Sequence, residues 1–303
     1  MGDIAGTQPP SISVIITCYN NQDTIAQAIR SVLAQNHAPE EIIVVDDGSA
    51  DASLSAIEPF KEKREVALLT GRNGGPSATR NRGLQAATGE WVAFLDGDDA
   101  WHPKKLAIQL VAHEAHPEAV IIATDWSRNL AELTADDDPP IQRLYASHIA
   151  ILNRFQTSSV LALRSAIEQA GGFDPRMDSA EDWDMWLRVA KLGPAVLVRS
   201  PTVFYRDNPS GVSKDVRTLA ARASDIVARE REQRYFESGF VEVIAAWHVQ
   251  RFMVAAALGR DWGLFARLAS QLRTEASAAN HLRAFVSYTL PFLMDRLKRR
   301  AAA

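Results

Sequence analysis

One cysteine, Cys18, among 303 residues rules out an intrachain disulfide framework and fits a reducing compartment. It closes the apolar stretch "SVIITCYN", where a small buried side chain is expected rather than a catalytic thiol. Long apolar runs are scarce too: the longest nearly apolar stretches fall short of the roughly 18 to 20 residues that cross a bilayer. The opening "MGDIAGTQPPSIS" has neither the basic start nor the apolar centre of a signal peptide. No basic stripe appears and the formal net charge is −4, which argues against nucleic acid as the main partner. No P-loop lysine motif and no GxGxxG follows a strand, which disfavours Walker-type and classical dinucleotide sites. A cytoplasmic chain is expected.

What is present is the composition of a globular protein, 47% hydrophobic and 23% charged. "ISVIIT" reads as a strand, and after it Ile25, Ala28, Ile29, Val32 and Leu33 trace one face of a helix with Asp23 or Thr24 as its cap. "EIIVVDDGS", "EVALLT", "WVAFLD" and "AVIIAT" read as further strands. "PSATRNRGLQAAT" and "PKKLAIQLVAHEA", the second opened by Pro103, read as helices between them. Such alternation predicts an α/β fold with a Rossmann-like, mostly parallel sheet flanked by helices. Ligands of these sheets bind beyond the carboxyl ends of the strands. The polar residues cluster there: Thr17 with Tyr19 and Asn20, Asp46 with Asp47, and Asp96 with Asp98 and Asp99.

"WVAFLDGDD" ends an apolar strand on three carboxylates. Carboxylates this close raise one another's pKa unless a cation lies between them, and Mg²⁺ or Mn²⁺ is held by a few such groups together with phosphate oxygens. "VVDDGSADAS" has two readings: a turn with capping by Asp51 or Ser53, or a carboxylate that accepts from a nucleobase or ribose. "RNGGPSATRNRG" offers backbone amides at a helix start with Arg72, Arg80 and Arg82, an arrangement suited to a diphosphate. In "DSAEDWDMWLR" the residues Trp183, Trp186, Leu187 and Ala190 have core spacing. Glu181, Asp182 and Asp184 are either a solvated helix start or the source of a general base.

In order, "SVIITCYN", "IIVVDDGSAD", "RNGGPSATRNRG", "WVAFLDGDD", "GGFDPRMDSAEDWDMWLR" and "VFYR" resemble the family 2 glycosyltransferases, inverting enzymes of the GT-A fold, over residues 11 to about 213. The resemblance implies a nucleotide-diphosphate sugar donor, a divalent metal on the diphosphate and direct displacement at the anomeric carbon. Thr17 and Tyr19 would border the base, with Asp47, or less favourably Asp46, hydrogen-bonded to it. Arg80 would serve the nucleotide side. Asp96 and Asp98 match the family's Asp-x-Asp, Asp98 nearest ribose and metal and Asp99 a further ligand. Asp182 matches the catalytic base, with Glu181 beside it. Many relatives carry a histidine after "YR"; Asn208 stands near that position, which leaves an extra phosphate or metal contact without its usual side chain. The Gln-x-x-Arg-Trp signature of processive synthases is absent, so transfer of a single sugar to a glycan or glycolipid acceptor is expected, from a UDP-sugar by preference.

The expected organisation is a GT-A domain over 1–214, with a nucleotide half (11–125) and an acceptor half (126–214), followed by a helical appendage over 215–303. In the appendage Phe240, Val243, Ile244 and Trp247 share a face, and Gly259 and Asp261 mark a stop and a start. A peripheral membrane contact, through the apolar "FVSYTLPFLM" with Lys298, Arg299 and Arg300, and a homodimer through the helices are both open roles for it. Two other functions compete. A nucleotidyltransferase would show a Gly-rich basic loop after the first strand, where "TCYNNQDT" has neither Gly nor Lys. A non-catalytic sugar-nucleotide-binding scaffold would have no need of Asp98 and Asp182 together.

Overall fold

The computed structural model describes residues 10–136, 138–207 and 215–295; Asn208 and Lys298, Arg299 and Arg300 lie outside the described residues. The chain divides into two compact units. One comprises Met1–Ile149, Asn153–Arg176 and Glu181–Asn208, the other Ala150–Leu152, Met177–Ala180 and Pro209–Ala303.

Strands and helices alternate from the start: β1 (Ile12–Cys18), α1 (Ile25–Leu33), β2 (Glu41–Asp46), α2 (Ser53–Ile57), β3 (Val66–Thr70), α3 (Gly75–Ala86) and β4 (Trp91–Asp96). There follow β5 (Ala100–Trp101), α4 (Lys105–Ala115), β6 (Ile121–Ser127), β7 (Ile141–Leu144), α5 (Ala146–Ile151), β8 (Val160–Leu163), α6 (Arg164–Gln169), α7 (Glu181–Ala190) and β9 (Ala195–Phe204). One sheet runs β3-β2-β1-β4-β8-β6-β9-β5, with β7 paired to β9. Its first four strands are parallel. Beyond them β8 enters antiparallel to β4 and β6, while β6 and β9 are again parallel.

The apolar positions of α1, Ile25, Ala28, Ile29 and Val32, bury against alternate sheet residues such as Val14, Ile16, Val44 and Leu95. Thr24 stands at the α1 N-cap but makes no cap bond; its hydroxyl donates instead to the Asn21 carbonyl at 3.4 Å. On the opposite sheet face Phe94, Phe173 and Trp186 meet with centroids 5.4 to 5.8 Å apart. There α3 approaches β1 so closely that a Cβ on Gly83 would lie 2.4 Å from Ile15 Cγ2. Register then sets the strand ends level: Thr17 pairs with Asp96, and Cys18 with Asp46. Burial pushes the Cys18 thiol up to about 11, as befits a core side chain.

The second unit contains α8 (Val216–Gln233), α9 (Ser238–Leu258), α10 (Trp262–Glu275) and α11 (Ala278–Ala284), which runs on through a π turn at Phe285–Thr289. That wide turn precedes Pro291, whose ring and missing N–H interrupt the i→i−4 ladder. The stop at Gly259 and the start at Asp261 occur as read, with the Asp261 carboxylate accepting from the Leu264 amide at 3.0 Å. The single apolar face expected for α9 is too narrow a description. Val241, Ala245, Ala246 and Val249 are buried along with Val243, Ile244 and Trp247, so α9 is the central helix of its unit. By length and composition α9 also qualifies as a membrane span, against the expectation of no such stretch, because its polar residues are diluted over 21 positions; 56% of its apolar 18-residue window is buried inside the protein.

Candidate active site

Three parallel strand ends form the floor of the site. At the end of β1 the Thr17 hydroxyl donates to Asp96 Oδ1 at 3.0 Å, and Tyr19 is exposed. The loops after β1 and β2 are stitched together: Asn20 N–H donates to Ser49 Oγ at 2.9 Å, and Ala50 N–H to Asn20 Oδ1 at 2.9 Å. At the end of β2 the carboxylate of Asp46, 1% exposed, accepts from the amides of Gly48 at 3.0 Å and Ser49 at 3.2 Å. Gly48 has φ +77° and no room for a Cβ between Asn73 N and Gly71 O, so only glycine suits this turn. Asp51 accepts from the Ser53 amide at 2.9 Å in the turn ahead of α2, whose N-cap is Ala52 and carries no side-chain cap bond, so the helix capping expected of Asp51 or Ser53 is replaced by this turn.

Asp47 points the other way, into the start of α3. Its Oδ1 accepts from the Gly74 amide at 2.9 Å and from Arg82, and its Oδ2 from the Gly75 amide at 2.9 Å. Asp46 is thus consumed by its own turn, whereas one lone pair on Asp47 Oδ2 stays open. The α3 amides expected to face a diphosphate are partly occupied by Asp47, and Arg82 is held by the same carboxylate.

Arg80 is the hub of the site. Only 4% exposed, it donates through Nη2 to Asp96 Oδ1 and through Nη1 to Glu181 Oε1, both at 2.9 Å, and its guanidinium lies 5.3 Å from the Phe173 ring centroid. Burial works against its charge, but Asp96 and then Glu181 outweigh that and hold its pKa above the usual arginine range. One guanidinium therefore ties the end of β4 to the first turn of α7.

The "DGDD" turn is closed by the Asp99 amide on the Asp96 carbonyl at 2.9 Å. Ser158 braces it, accepting from the Asp96 amide at 3.0 Å and donating to Asp99 Oδ2 at 2.6 Å. Arg206 completes the brace, its amide donating to Asp99 Oδ1 at 2.9 Å and its Nε to the Asp98 carbonyl at 3.0 Å. Burial first, then the charges of Asp96 and Asp98, raise the Asp99 carboxyl well above its ordinary value. Asp99, expected as a further cation ligand, has each carboxylate oxygen engaged by one donor inside the protein and so braces the turn. Asp98 is different. Its pKa is pushed up to about 6 by burial and by Asp96, and no described side chain donates a hydrogen bond to its carboxylate. Among the described residues no group of three or more His, Cys, Asp and Glu side chains is arranged to hold a metal by itself, so any cation here would take most of its ligands from substrate and water.

Across from this turn, Asp182 in the first turn of α7 accepts from Asn153 Nδ2 at 2.9 Å and from the Trp183 amide at 2.6 Å. Burial, followed by the neighbouring charge of Glu181, pushes its carboxyl up to about 7. Asp184, the third acid of this motif, is spent on Arg188 at 2.6 Å. Trp183, Trp186, Leu187 and Ala190 are core, as their spacing indicates.

The family model described as "Glycosyl transferase family 2" matches residues 13–165. The chain belongs to this family. It is 30% identical over 236 residues to the putative teichuronic acid biosynthesis glycosyltransferase TuaG of Bacillus subtilis (strain 168), covering 75% of this chain and 90% of TuaG. It is 26% identical over 219 residues to the UDP-Glc:alpha-D-GlcNAc-diphosphoundecaprenol beta-1,3-glucosyltransferase WfaP of Escherichia coli, covering 71% and 85%. Three other curated relatives match over about a third of this chain, which spans only 28, 30 and 16% of their lengths. Among solved structures, the mannosyltransferase PcManGT from Pyrobaculum calidifontis in complex with GDP-Man and Mn²⁺ superposes with a TM-score of 0.59 at 19% identity, over 94% of this chain and 88% of that one. The fold is GT-A, with helices at the C-terminal end.

The matched stretch of this family 2 chain ends at residue 165, before Glu181 and Asp182. The Arg80 bridge joins Asp96, inside the matched stretch, to Glu181 beyond it. Sequence reasoning missed Ser158, Asn153 and the role of Arg206. The first two stand in stretches without a pattern, and Arg206 stands in "VFYR" with no partner nearby in the chain to give it a role.

Proposed function

We propose that this chain is an inverting glycosyltransferase that moves one sugar from a nucleotide-diphosphate donor, a UDP-sugar by preference, to a hydroxyl of a glycan or lipid-linked acceptor in cell-surface polysaccharide assembly. The observation that carries this reading is the Arg80 bridge, which brings Asp182 beside the acidic end of β4. The names of TuaG and WfaP support the acceptor class, and that of WfaP supports uridine.

Thr17 and Tyr19 border the base, and the open lone pair of Asp47 accepts its imide N–H. The residues present fit a divalent cation at Asp98, whose backbone is held by Arg206 and whose carboxylate is crowded by the like charge of Asp96. Bound there, Mg²⁺ or Mn²⁺ would neutralise charge on the departing diphosphate. Asp182 takes the proton of the acceptor hydroxyl, with Asn153 and the Trp183 amide holding its carboxylate in line. A carboxyl near 7 is basic enough for this role and still largely ionised just above neutrality. As the acceptor oxygen bonds to the anomeric carbon, the bond from that carbon to the diphosphate breaks on the opposite face and its electron pair leaves with the diphosphate. Configuration inverts in a single step that needs no enzyme nucleophile.

The test is a thermal-shift series with UDP, GDP, dTDP and CDP, each with Mn²⁺ or with EDTA, on the parent chain and on Asp98→Asn. Stabilisation by UDP is expected, lost in EDTA and lost in the variant. No shift with any nucleotide would falsify the reading.

A further inference from the structure

The second unit carries an apolar groove for which sugar transfer has no use. Its volume is about 420 Å³, within the range of roughly 300–1,000 Å³ of small-molecule sites. Val254 and Leu258 of α9, Phe265 and Leu272 of α10, and Phe285 and Leu293 beyond α11 are among its walls. The polar side chains of the lining, Gln250 and Thr289, are turned on each other, with Thr289 Oγ1 donating to Gln250 Oε1 at 2.5 Å and Gln250 Nε2 donating to the His281 carbonyl at 3.2 Å. A polar ligand would find little to bind, whereas a hydrocarbon chain loses nothing by entering. At roughly 30 Å³ for each water-sized group, the groove takes a chain of roughly a dozen carbons.

Its surroundings narrow the occupant. Large exposed apolar side chains are scattered over most of the described chain, but Trp262, Leu282, Phe285, Val286, Leu290 and Met294 crowd into this one region. Val286, Leu290 and Met294 recur every fourth residue and so share a helix face, and contiguous exposed apolar surface marks an interaction site. Charge selects among partners. Residues 259–303 contain eight Arg and Lys against three Asp and Glu, a local +5 in a chain of net −4. A second copy would bring the same positive charge to the contact. An anionic bilayer matches both properties, supplying hydrocarbon for the groove and negative charge for the basic end. We propose that the α9–α11 unit docks on an anionic lipid surface, with a lipid acyl chain entering the groove between α9, α10 and the segment around Phe285.

The test is flotation of the full chain with phosphatidylglycerol-containing vesicles and with pure phosphatidylcholine vesicles. Binding is expected to be about tenfold stronger to the anionic vesicles and to fall with salt. Leu290→Glu, with an unchanged melting temperature, should lose most of it. Should that variant melt early, the parent chain decides: vesicles of chain-brominated phosphatidylglycerol should quench tryptophan emission, and Trp262→Phe should remove most of the quenching. Absence of flotation, full binding by a stable Leu290→Glu, or quenching unaltered in Trp262→Phe overturns the proposal. So does a dimer, seen by light scattering, that anionic vesicles fail to dissociate. These readouts involve neither nucleotide nor turnover, so their failure leaves the transferase reading standing, and the reverse holds too.

Discussion

Two pairs of adjacent aspartates end neighbouring regions of the same sheet, and they have been put to different uses. Asp46 and Asp47, after β2, receive four backbone amides and one guanidinium between them, and what they build is a turn and the start of a helix. Asp98 and Asp99, after β4, receive from other residues one amide and one hydroxyl, both directed to Asp99. Asp98 is left beside Asp96 with its carboxyl pushed up to about 6. The comparison teaches that a pair of acids becomes scaffold where the backbone supplies donors, and a prospective cation site where it does not. Asp182 too is ringed by too few donors to offset its burial, and its carboxyl is pushed up to about 7.

The sharpest way to break this comparison is Asp182→Asn. Turnover should fall about 10²- to 10⁴-fold, the usual worth of a general base, while the UDP-induced thermal shift is retained; a variant that keeps full turnover removes Asp182 from the mechanism. Next in size is Arg80→Leu, which leaves Asp96 and Glu181 without their shared cation. Urea denaturation should show a loss of about 3 kcal/mol.

The pH dependence of stability follows in magnitude. The Asp182 carboxyl titrates at about 7 in the folded chain against an ordinary 3.8, so between these values the folded state holds a proton that the unfolded chain has released. Its contribution to stability is complete below about pH 4 and is lost as pH rises towards 7. Relative to Asp182→Asn, the parent should weaken by about 2 kcal/mol between pH 5 and pH 8 in urea melts. Turnover should run the other way, rising through about pH 7 as the base ionises. The smallest effects sharpen the β2 side. Asp47→Asn, losing one amide partner and Arg82, should cost about 1.5 kcal/mol, and Asp46→Asn, whose remaining oxygen can still serve Gly48 and Ser49, about 0.5 kcal/mol.

Much of this was legible in the chain itself. Uninterrupted apolar runs such as "IIVV" place buried parallel strands, and polar residues at their ends place the site, because both follow from local periodicity. The functions of individual carboxylates were not legible. The sequence offers both Asp98 and Asp99 as cation ligands, and what separates their surroundings is Ser158 and Arg206, which come from residues 59 and 107 positions beyond Asp99. The α9 helix shows the same limit: its periodicity outlines one face, but burial on nearly all sides depends on three neighbouring helices that periodicity does not record.

The sequence by itself determined the alternation of strands and helices up to about residue 124, the positions of the acidic strand ends and the charge of the C-terminal segment, all properties carried by neighbouring residues. Only the tertiary structure decided that Arg80 joins β4 to α7, that Asp99 braces while Asp98 stays open, and that a groove runs beside α9. Each of these depends on groups distant in the chain meeting where water is largely excluded, and there the number of donors that reach a charge sets what it can do.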